Sequence, residues 1–305
     1  HVHYPFVNKN WFGTHFPADF IVEYIGQTRG WFYTLVVLAT ALFDKIPFKN
    51  CICHGIILDE SGKKLSKRLR NYPDPNEMFN TYGADAMRFR MVKEPVLHGG
   101  NLLIAKDGSD IRDVVRLSIK PIWNAYSFFT LYANADQIKA ELLFQELGIG
   151  NSELGKESGG SQSLIPNPQS LNIMDRYILA KLKGAVKQID QSLDKYLIPE
   201  ACTAFDNFFE VLNNWYIRRN KERFWRSIEE ESRIENRELS KKKNDHSTLN
   251  SQFSLLQDKQ AAYDTLYTVL NVICRAAAPL LPFTLEEIFS GIAGSGHRSE
   301  KNSVH

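Results

Sequence analysis

Long apolar runs, targeting segments and an excess of one charge are all missing from this 305-residue sequence. No stretch reaches the roughly 18 consecutive apolar residues of a transmembrane helix, so we predict no membrane span. No signal peptide is recognisable. Lysine and arginine number 37 against 35 aspartates and glutamates. Any surface for nucleic acid must therefore be a local patch rather than a global field.

Cysteine is also scarce. The four cysteines (Cys51, Cys53, Cys202 and Cys274) lack CxxC spacing, so the sequence predicts neither a zinc site nor a disulfide framework. We expect Cys51 and Cys53 to be small buried residues on one face of a strand. Free cysteines favour a reducing compartment, and we expect a cytoplasmic protein with no structural metal.

The length and composition are those of a globular protein with room for two domains, since 43% of the residues are apolar and 24% are charged. The sequence begins with His1 instead of methionine and ends in the middle of a pattern. We therefore expect it to be a piece of a longer protein.

The most informative stretch is 51–77. An apolar run over 51–58 predicts a strand, a turn follows at 59–62, and a helix begins after the N-cap residue Asp74. Between turn and helix lies a basic loop, 63–70, with five cations: Lys63, Lys64, Lys67, Arg68 and Arg70. Such a loop, with the hydroxyl of Ser66, can hold a polyphosphate. The alternative is a solvated basic loop.

A strand over 19–24, a helix over 27–43 and the strand over 51–58 form a predicted βαβ unit with parallel strands. The carboxyl ends of such strands share one edge of the sheet, where ligands bind. This edge would hold Glu23 and the start of the basic loop.

The C-terminal two thirds predict successive amphipathic helices, and therefore a bundle. The expected helices cover 110–133 with a kink at Pro121, 172–198, 199–228 and 258–278, followed by a short last helix with a capping box at Thr284. Two polar segments, 145–170 and 231–254, are expected to be flexible.

Three motifs resemble class I aminoacyl-tRNA synthetases. Residues 64–68 are similar to the signature loop of that family, although Leu65 and Arg68 depart from its usual Met and Ser. Residues 16–32, with the run Gln27 to Phe32, resemble the isoleucyl members, although Tyr24, Ile25 and Gly26 depart from the residues common there. Residues 214–225 resemble a central helix of the anticodon-binding bundle.

The resemblance implies an α/β fold followed by an all-α fold. Residues 1–108 would be the C-terminal part of a Rossmann-like catalytic domain, and residues 109–305 a helical anticodon-binding domain. The longer protein would be a monomer that uses ATP and Mg²⁺ to activate isoleucine and transfers it to tRNA(Ile). Because the His-Ile-Gly-His motif and the editing domain are absent, we expect this chain alone to be inactive.

The resemblance also implies roles for individual residues. Lys64, Ser66 and Lys67 would act on the pyrophosphate of ATP as the catalytic loop. Glu23 and Gln27 would hold the adenylate, His54 and Gly55 would lie near adenine, and Trp31 would form a wall of the amino-acid pocket beside Glu23. The tRNA-binding residues would be Trp215, Arg219, Arg223 and Arg226.

Alternatives remain open at this stage. Glu23, Trp31 and His54 could be a sheet-edge carboxylate, a core aromatic and a core histidine, and the arginines could form salt bridges on a helix surface. A valyl or leucyl synthetase, or a non-catalytic tRNA-binding module, is the alternative function.

Overall fold

The computed structural model describes residues 4–143, 171–226 and 246–293, with side chains from residue 5 and, in the last segment, from residue 256. It contains two compact units, which we name the sheet unit (His1–Arg112 with Tyr196–Pro199) and the helical unit (Asp113–Lys195 with Glu200–His305). None of the helices in these described ranges is both long and apolar enough to cross a bilayer.

The chain begins with short helices and strands. In order these are α1 Tyr4–Val7, α2 Lys9–His15, β1 Ala18–Tyr24, a 3-10 turn Ile25–Arg29, α3 Trp31–Phe43, β2 Phe48–His54, β3 Ile57–Asp59, α4 Pro75–Tyr82, α5 Ala84–Val92, a 3-10 turn Pro95–His98 and β4 Leu102–Ile104.

Longer helices follow. In order these are α6 Ser109–Val114, a π-helical segment Val115–Ile119, α7 Lys120–Asp136, α8 Ile173–Asp194, α9 Ile198–Val211, a second π-helical segment Leu212–Ile217, α10 Arg218–Trp225, α11 His246–Ala277 and α12 Pro282–Ala293. The expected order, α/β and then α-helical, is therefore confirmed.

The predicted βαβ unit is present in the sheet unit. Strands β1 and β2 pair in parallel, with Glu23 opposite Cys53 and Tyr24 opposite His54. Helix α3 connects them. The carboxyl ends of both strands therefore meet at one edge, which carries Glu23 and His54.

The single strand predicted over 51–58 is wrong, because the chain changes partner at Gly55. The Gly55 amide donates to the carbonyl of Val96 at 2.7 Å, and a Cβ at position 55 would overlap the carbonyl of Gly100. The chain then continues as β3, which pairs in parallel with β4. A glycine was required for this close approach, and it divides the strand.

Burial in the sheet unit does not follow the apolar pattern, and one burial prediction is wrong. In α3 the buried residues are Phe32 and Ala39, whereas Trp31, Leu38 and Leu42 are about half exposed. Almost every residue of α3 is apolar, so apolar spacing did not identify the buried face. Cys51, expected to be buried, is exposed on β2.

The core of the helical unit runs along α11. Leu266, Val269, Leu270, Ile273 and Ala277 are all buried, and this helix packs against α7, α8, α10 and α12. The N-cap of α8 is Asn172, as predicted, and its side chain accepts a hydrogen bond from the Met174 amide at 2.9 Å. The predicted capping box at Thr284 is wrong, because α12 begins two residues earlier at Pro282.

Two π-helical segments interrupt helices that the sequence predicts as continuous. The first, Val115–Ile119, ends two residues before Pro121, where we expected a kink. The second is Leu212–Ile217, and Asn213 within it donates to the carbonyl of Pro121 at 3.1 Å. A π-helical turn contains an extra residue, so it changes which face later side chains occupy. Trp215, within the second segment, is about half exposed.

Predictions for the two polar segments lie mostly outside the described residues. This holds for all of 145–170 and for 231–245, whereas 246–254 belong to α11.

Candidate functional site

Glu23 and His54 lie together at the carboxyl edge of β1 and β2. The His54 Nε2 atom is 3.9 Å from Glu23 Oε1, and both side chains are partly exposed. His54 Nδ1 lies 2.8 Å from the carbonyl oxygen of Gly55, and a carbonyl can only accept a hydrogen bond. The proton therefore lies on Nδ1, and in the neutral ring Nε2 is an acceptor beside a carboxylate.

Gln27 lies in the 3-10 turn directly before helix α3, which begins at Trp31 and not at Gln27 as predicted. Its side-chain oxygen accepts a hydrogen bond from the Trp31 amide at 2.9 Å, and so satisfies one of the unpaired donors at the helix start. Gly30 allows this contact, because a Cβ there would lie 2.6 Å from the Gln27 oxygen. The Trp31 indole that follows is 47% exposed. The sequence predicted a ligand role for Gln27 and did not anticipate this cap.

The basic loop follows β3, which pairs with β4 in a separate two-stranded sheet. The prediction that one sheet edge holds both Glu23 and the start of the loop is therefore wrong. Lys64 and Lys67 are exposed, and Ser66 is partly buried. The loop closes on itself, because the amides of Leu69 and Arg70 both donate to the Ser66 carbonyl, at 3.1 and 3.0 Å. Among the residues that the structure describes, neither lysine has an ion-pair partner, so both ammonium groups are available to an anionic ligand.

Asp59 and Asn71 hold the two ends of the basic loop together. Asp59 Oδ1 accepts hydrogen bonds from the Ser61 amide, the Ser61 hydroxyl and the Lys63 amide at 2.9, 2.7 and 2.8 Å. Its other oxygen accepts from Asn71 Nδ2 at 2.7 Å. Asn71 Oδ1 in turn accepts from the Ser66 amide at 2.9 Å.

These hydrogen bonds keep Asp59 ionised. They lower its pKa to about 2, with Asn71 making the largest contribution, followed by Ser61 and Lys63. Sequence reasoning missed the role of Asp59. An aspartate two residues before a serine in a turn is typical of an Asx-turn, and this signal could have identified part of it.

Trp215 and Arg219 form the exposed part of the predicted tRNA-binding helix. The Arg219 guanidinium stacks on the Trp215 ring, 4.4 Å from its centroid, and both residues are exposed. Arg226 is exposed as well and forms a 3.2 Å ion pair with Glu222. An arginine stacked on an exposed indole offers a charge and an aromatic face at one place, as nucleic-acid surfaces do.

Arg223, predicted to belong to the same stripe, lies inside the helical unit. Its guanidinium donates to both oxygens of Asp175 at 2.8 Å, and to Asp258 at 2.8 and 2.9 Å. The Asp175 side chain is fully buried, and it also accepts from the Tyr216 hydroxyl at 2.7 Å. Burial opposes the charge of Arg223, but Asp175, Tyr216 and Asp258 together outweigh burial and raise the pKa of the guanidinium. Arg223 therefore connects α8, α10 and α11 and does not belong to the exposed stripe.

The described residues contain no group of three or more His, Cys, Asp or Glu side chains that could hold a metal ion.

Two family models match the chain. Residues 1–102 match the model described as tRNA synthetases class I (I, L, M and V), and residues 175–305 match the anticodon-binding domain of tRNA ligase.

Curated relatives are similar over nearly the whole chain. It is 49% identical over 291 residues to an isoleucine–tRNA ligase of Wolbachia sp. subsp. Brugia malayi, which is 95% of the chain and 21% of that relative. It is 48% identical over 302 residues to the isoleucine–tRNA ligase of Rickettsia conorii, covering 99% of the chain and 23% of the relative. The chain therefore spans about a fifth of the length of these relatives.

Two solved structures share the fold. One is the LeuRS–tRNA–LeuAMS ternary complex of Agrobacterium radiobacter K84, with a TM-score of 0.53 and 18% identity over 91% of the chain and 27% of that protein. The other is Mycobacterium tuberculosis methionyl-tRNA synthetase with methionyl-adenylate, with a TM-score of 0.54 and 15% identity over 91% of the chain and 44% of that protein. The matches confirm the resemblance on which the predicted fold rests.

Proposed function

The chain belongs to the class I tRNA synthetases, and from this premise we propose that it is part of an isoleucine–tRNA ligase. The observation that carries the isoleucine assignment is the similarity to relatives named isoleucine–tRNA ligases over nearly the whole chain. The same observation favours isoleucine over valine or leucine. We propose that residues 1–108 serve amino-acid activation and that residues 109–305 bind tRNA(Ile), in a monomeric cytoplasmic enzyme.

Activation joins the isoleucine carboxylate to the α-phosphate of ATP and releases pyrophosphate. Such reactions depend mainly on positioning and on the stabilisation of charge that develops on the leaving group. Lys64 and Lys67 carry the positive charge for this role, and their exposure supports it. The Ser66 hydroxyl adds a donor on the same loop.

The edge of β1 and β2 would hold the rest of the adenylate. The Glu23 carboxylate can accept from the α-ammonium group of isoleucine or from a ribose hydroxyl, and Trp31 offers a rigid apolar wall for a branched side chain. His54 and Gly55 would lie beside adenine, and the Gln27 amide nitrogen would contact the adenylate while its oxygen caps α3. Mg²⁺ would arrive with the phosphates of ATP, which supply oxygen ligands.

In the helical unit, the Trp215–Arg219 pair supports a contact with tRNA. The indole can stack on an unpaired base, while Arg219 and Arg226 can meet phosphates. Arg223 is left out of this proposal, because its guanidinium is engaged by Asp175 and Asp258.

ATP–pyrophosphate exchange tests the proposed activation. In the natural gene product that contains this chain, exchange should depend on isoleucine and not on valine or leucine at equal low concentration. Lys67→Ala should lower kcat by about 10²–10³-fold, as the loss of one transition-state donor does, with a smaller change in the KM for isoleucine. The matched control is Lys45→Ala, because Lys45 is exposed and precedes the opposite end of β2.

Two results would contradict the proposal. An unchanged kcat in Lys67→Ala would remove the loop from catalysis. Tight tRNA binding without exchange for any amino acid would favour a non-catalytic tRNA-binding module. The separate expectation that the 305-residue chain alone is inactive is tested by the same assay on the isolated chain.

A further inference from the structure

The basic loop concentrates like charges that repel one another. Five cations lie within 63–70, and each of them is exposed. Repulsion favours an open, mobile loop, so a defined arrangement of Lys64 and Lys67 requires an opposing restraint. The backbone supplies part of it. The Asp59 amide donates to the Lys63 carbonyl at 2.8 Å, the Leu69 and Arg70 amides donate to the Ser66 carbonyl, and Leu58 and Lys64 form one antiparallel bridge.

The side chains of Asp59 and Asn71 supply the rest. Asp59 holds the entry to the loop through Ser61 and Lys63, as described above. Asn71 holds its middle, because its oxygen accepts from the Ser66 amide and its nitrogen also lies 3.3 Å from the Lys64 carbonyl. The 2.7 Å hydrogen bond from Asn71 Nδ2 to Asp59 Oδ2 joins the two halves.

The chemistry of this contact requires one amide and one carboxylate. Asp59 can only accept at Oδ2, and the Ser66 amide can only donate, so position 71 must donate with one atom and accept with the other. The carboxamide of Asn71 has both a donor and an acceptor, and so meets both requirements. A carboxylate at 71 would face the Asp59 carboxylate, and an amide at 59 would place two donors against each other.

We propose that Asp59 and Asn71 form a clasp that fixes the backbone of the basic loop, and that both are positioning residues for Lys64 and Lys67 in activation. The second part rests on the proposed function. The first part concerns the loop alone and has its own measurement. Neither residue is expected to touch ATP, because their polar atoms are engaged with each other and with the loop backbone.

The test exchanges the two side-chain chemistries in the natural gene product. Asp59→Asn and Asn71→Asp should each break the clasp. The double variant should restore it with the hydrogen bond reversed, since the amide at 59 would then donate to the carboxylate at 71. Two nearby substitutions are the controls. Glu60→Gln removes a carboxylate, as Asp59→Asn does, but keeps the acceptor for the Lys106 amide. Asn76→Asp adds a carboxylate, as Asn71→Asp does, on the exposed first turn of α4.

The rate of trypsin cleavage within 63–70 measures how often the loop opens. The five basic residues of the loop are trypsin sites, and the cleavage rate is proportional to the population of the open loop. Each single variant should be cleaved within 63–70 at least about tenfold faster than the parent, the effect of losing a hydrogen bond to a charged group. The double variant should return to within about threefold of the parent, and the controls should stay within about twofold. A double variant cleaved as fast as the singles overturns the clasp.

Pyrophosphate exchange then tests positioning. The single variants should lose about tenfold in kcat while the KM for isoleucine changes little, and the double variant should recover kcat. Faster cleavage with unchanged kcat overturns the positioning role. If the parent itself shows no isoleucine-dependent exchange, the proposed function fails, whereas the cleavage rates still decide whether the clasp exists.

Discussion

Arg219, Arg223 and Arg226 show what residue spacing can and cannot predict. Their i, i+4, i+7 positions predict one stripe on a helix. Arg219 is exposed and stacks on the Trp215 ring. Arg223, in contrast, is largely buried and pairs with Asp175 and Asp258. These two partners lie 48 and 35 positions away in the sequence. Periodicity describes a single helix, so it cannot identify the arginine that helices packing from elsewhere will enclose.

The buried network around Arg223 predicts a large effect of one isosteric change. Asp175→Asn removes the carboxylate and leaves the buried guanidinium short of a partner, which should destabilise the helical unit by about 3–5 kcal/mol. Hydrogen exchange of the α8 amides measures this. The control is Glu222→Gln, which breaks an exposed ion pair with Arg226 and should cost less than about 1 kcal/mol. Equal losses in both variants would show that the network adds nothing beyond a surface pair.

Helix starts that depend on local chemistry were predictable, whereas changes of partner and of helical period were not. Asp74 and Asn172 cap α4 and α8 as expected, because a cap needs only its own side chain and the next two or three amides. The division of the strand at Gly55 depends on Gly100, and the second π-helical segment meets Pro121. Both causes are distant in sequence, and so no local pattern contains them.

Gly→Ala substitutions at two glycines without close neighbours measure the effect of backbone conformation on stability, because neither changes the packing. A Cβ would meet nothing within 4 Å at either Gly184 or Gly83. Gly184 lies on the exposed side of α8 in ordinary helical geometry, so Gly184→Ala should stabilise the protein by about 0.5–1 kcal/mol.

Gly83 is the matched contrast, because it has φ of +86° between α4 and α5. Gly83→Ala should destabilise the protein by about 1–3 kcal/mol although no atom is displaced. Urea denaturation of both variants measures the two signs. A stabilising effect at both positions would mean that the backbone at 83 relaxes without strain.

At the scale of the whole chain, a balance of 37 basic and 35 acidic residues predicts that the proposed tRNA binding depends on a few local contacts. The order of folds and the family were predictable at this scale because they rest on motifs that are contiguous in sequence. Which cations are exposed to a proposed RNA ligand was not predictable, because the packing of neighbouring helices determines which of them are buried. We propose the Arg219 guanidinium, stacked on Trp215, as one such contact.

The salt dependence of tRNA binding separates the charge of Arg219 from the stacking of Trp215. Each phosphate contact contributes roughly 0.7–0.9 to the slope of log K against log salt, because it releases a counterion. Arg219→Gln in the natural gene product should lower that slope by about this amount. Trp215→Ala removes the stacking face, and should lower the affinity by about 1–3 kcal/mol at every salt concentration while changing the slope less. The control is Arg116→Gln, since Arg116 is exposed but paired with Asp113 at 3.3 Å. A slope that Arg219→Gln leaves unchanged would mean that the Trp215–Arg219 pair is a feature of the helix surface, and that the RNA contacts of this bundle lie elsewhere.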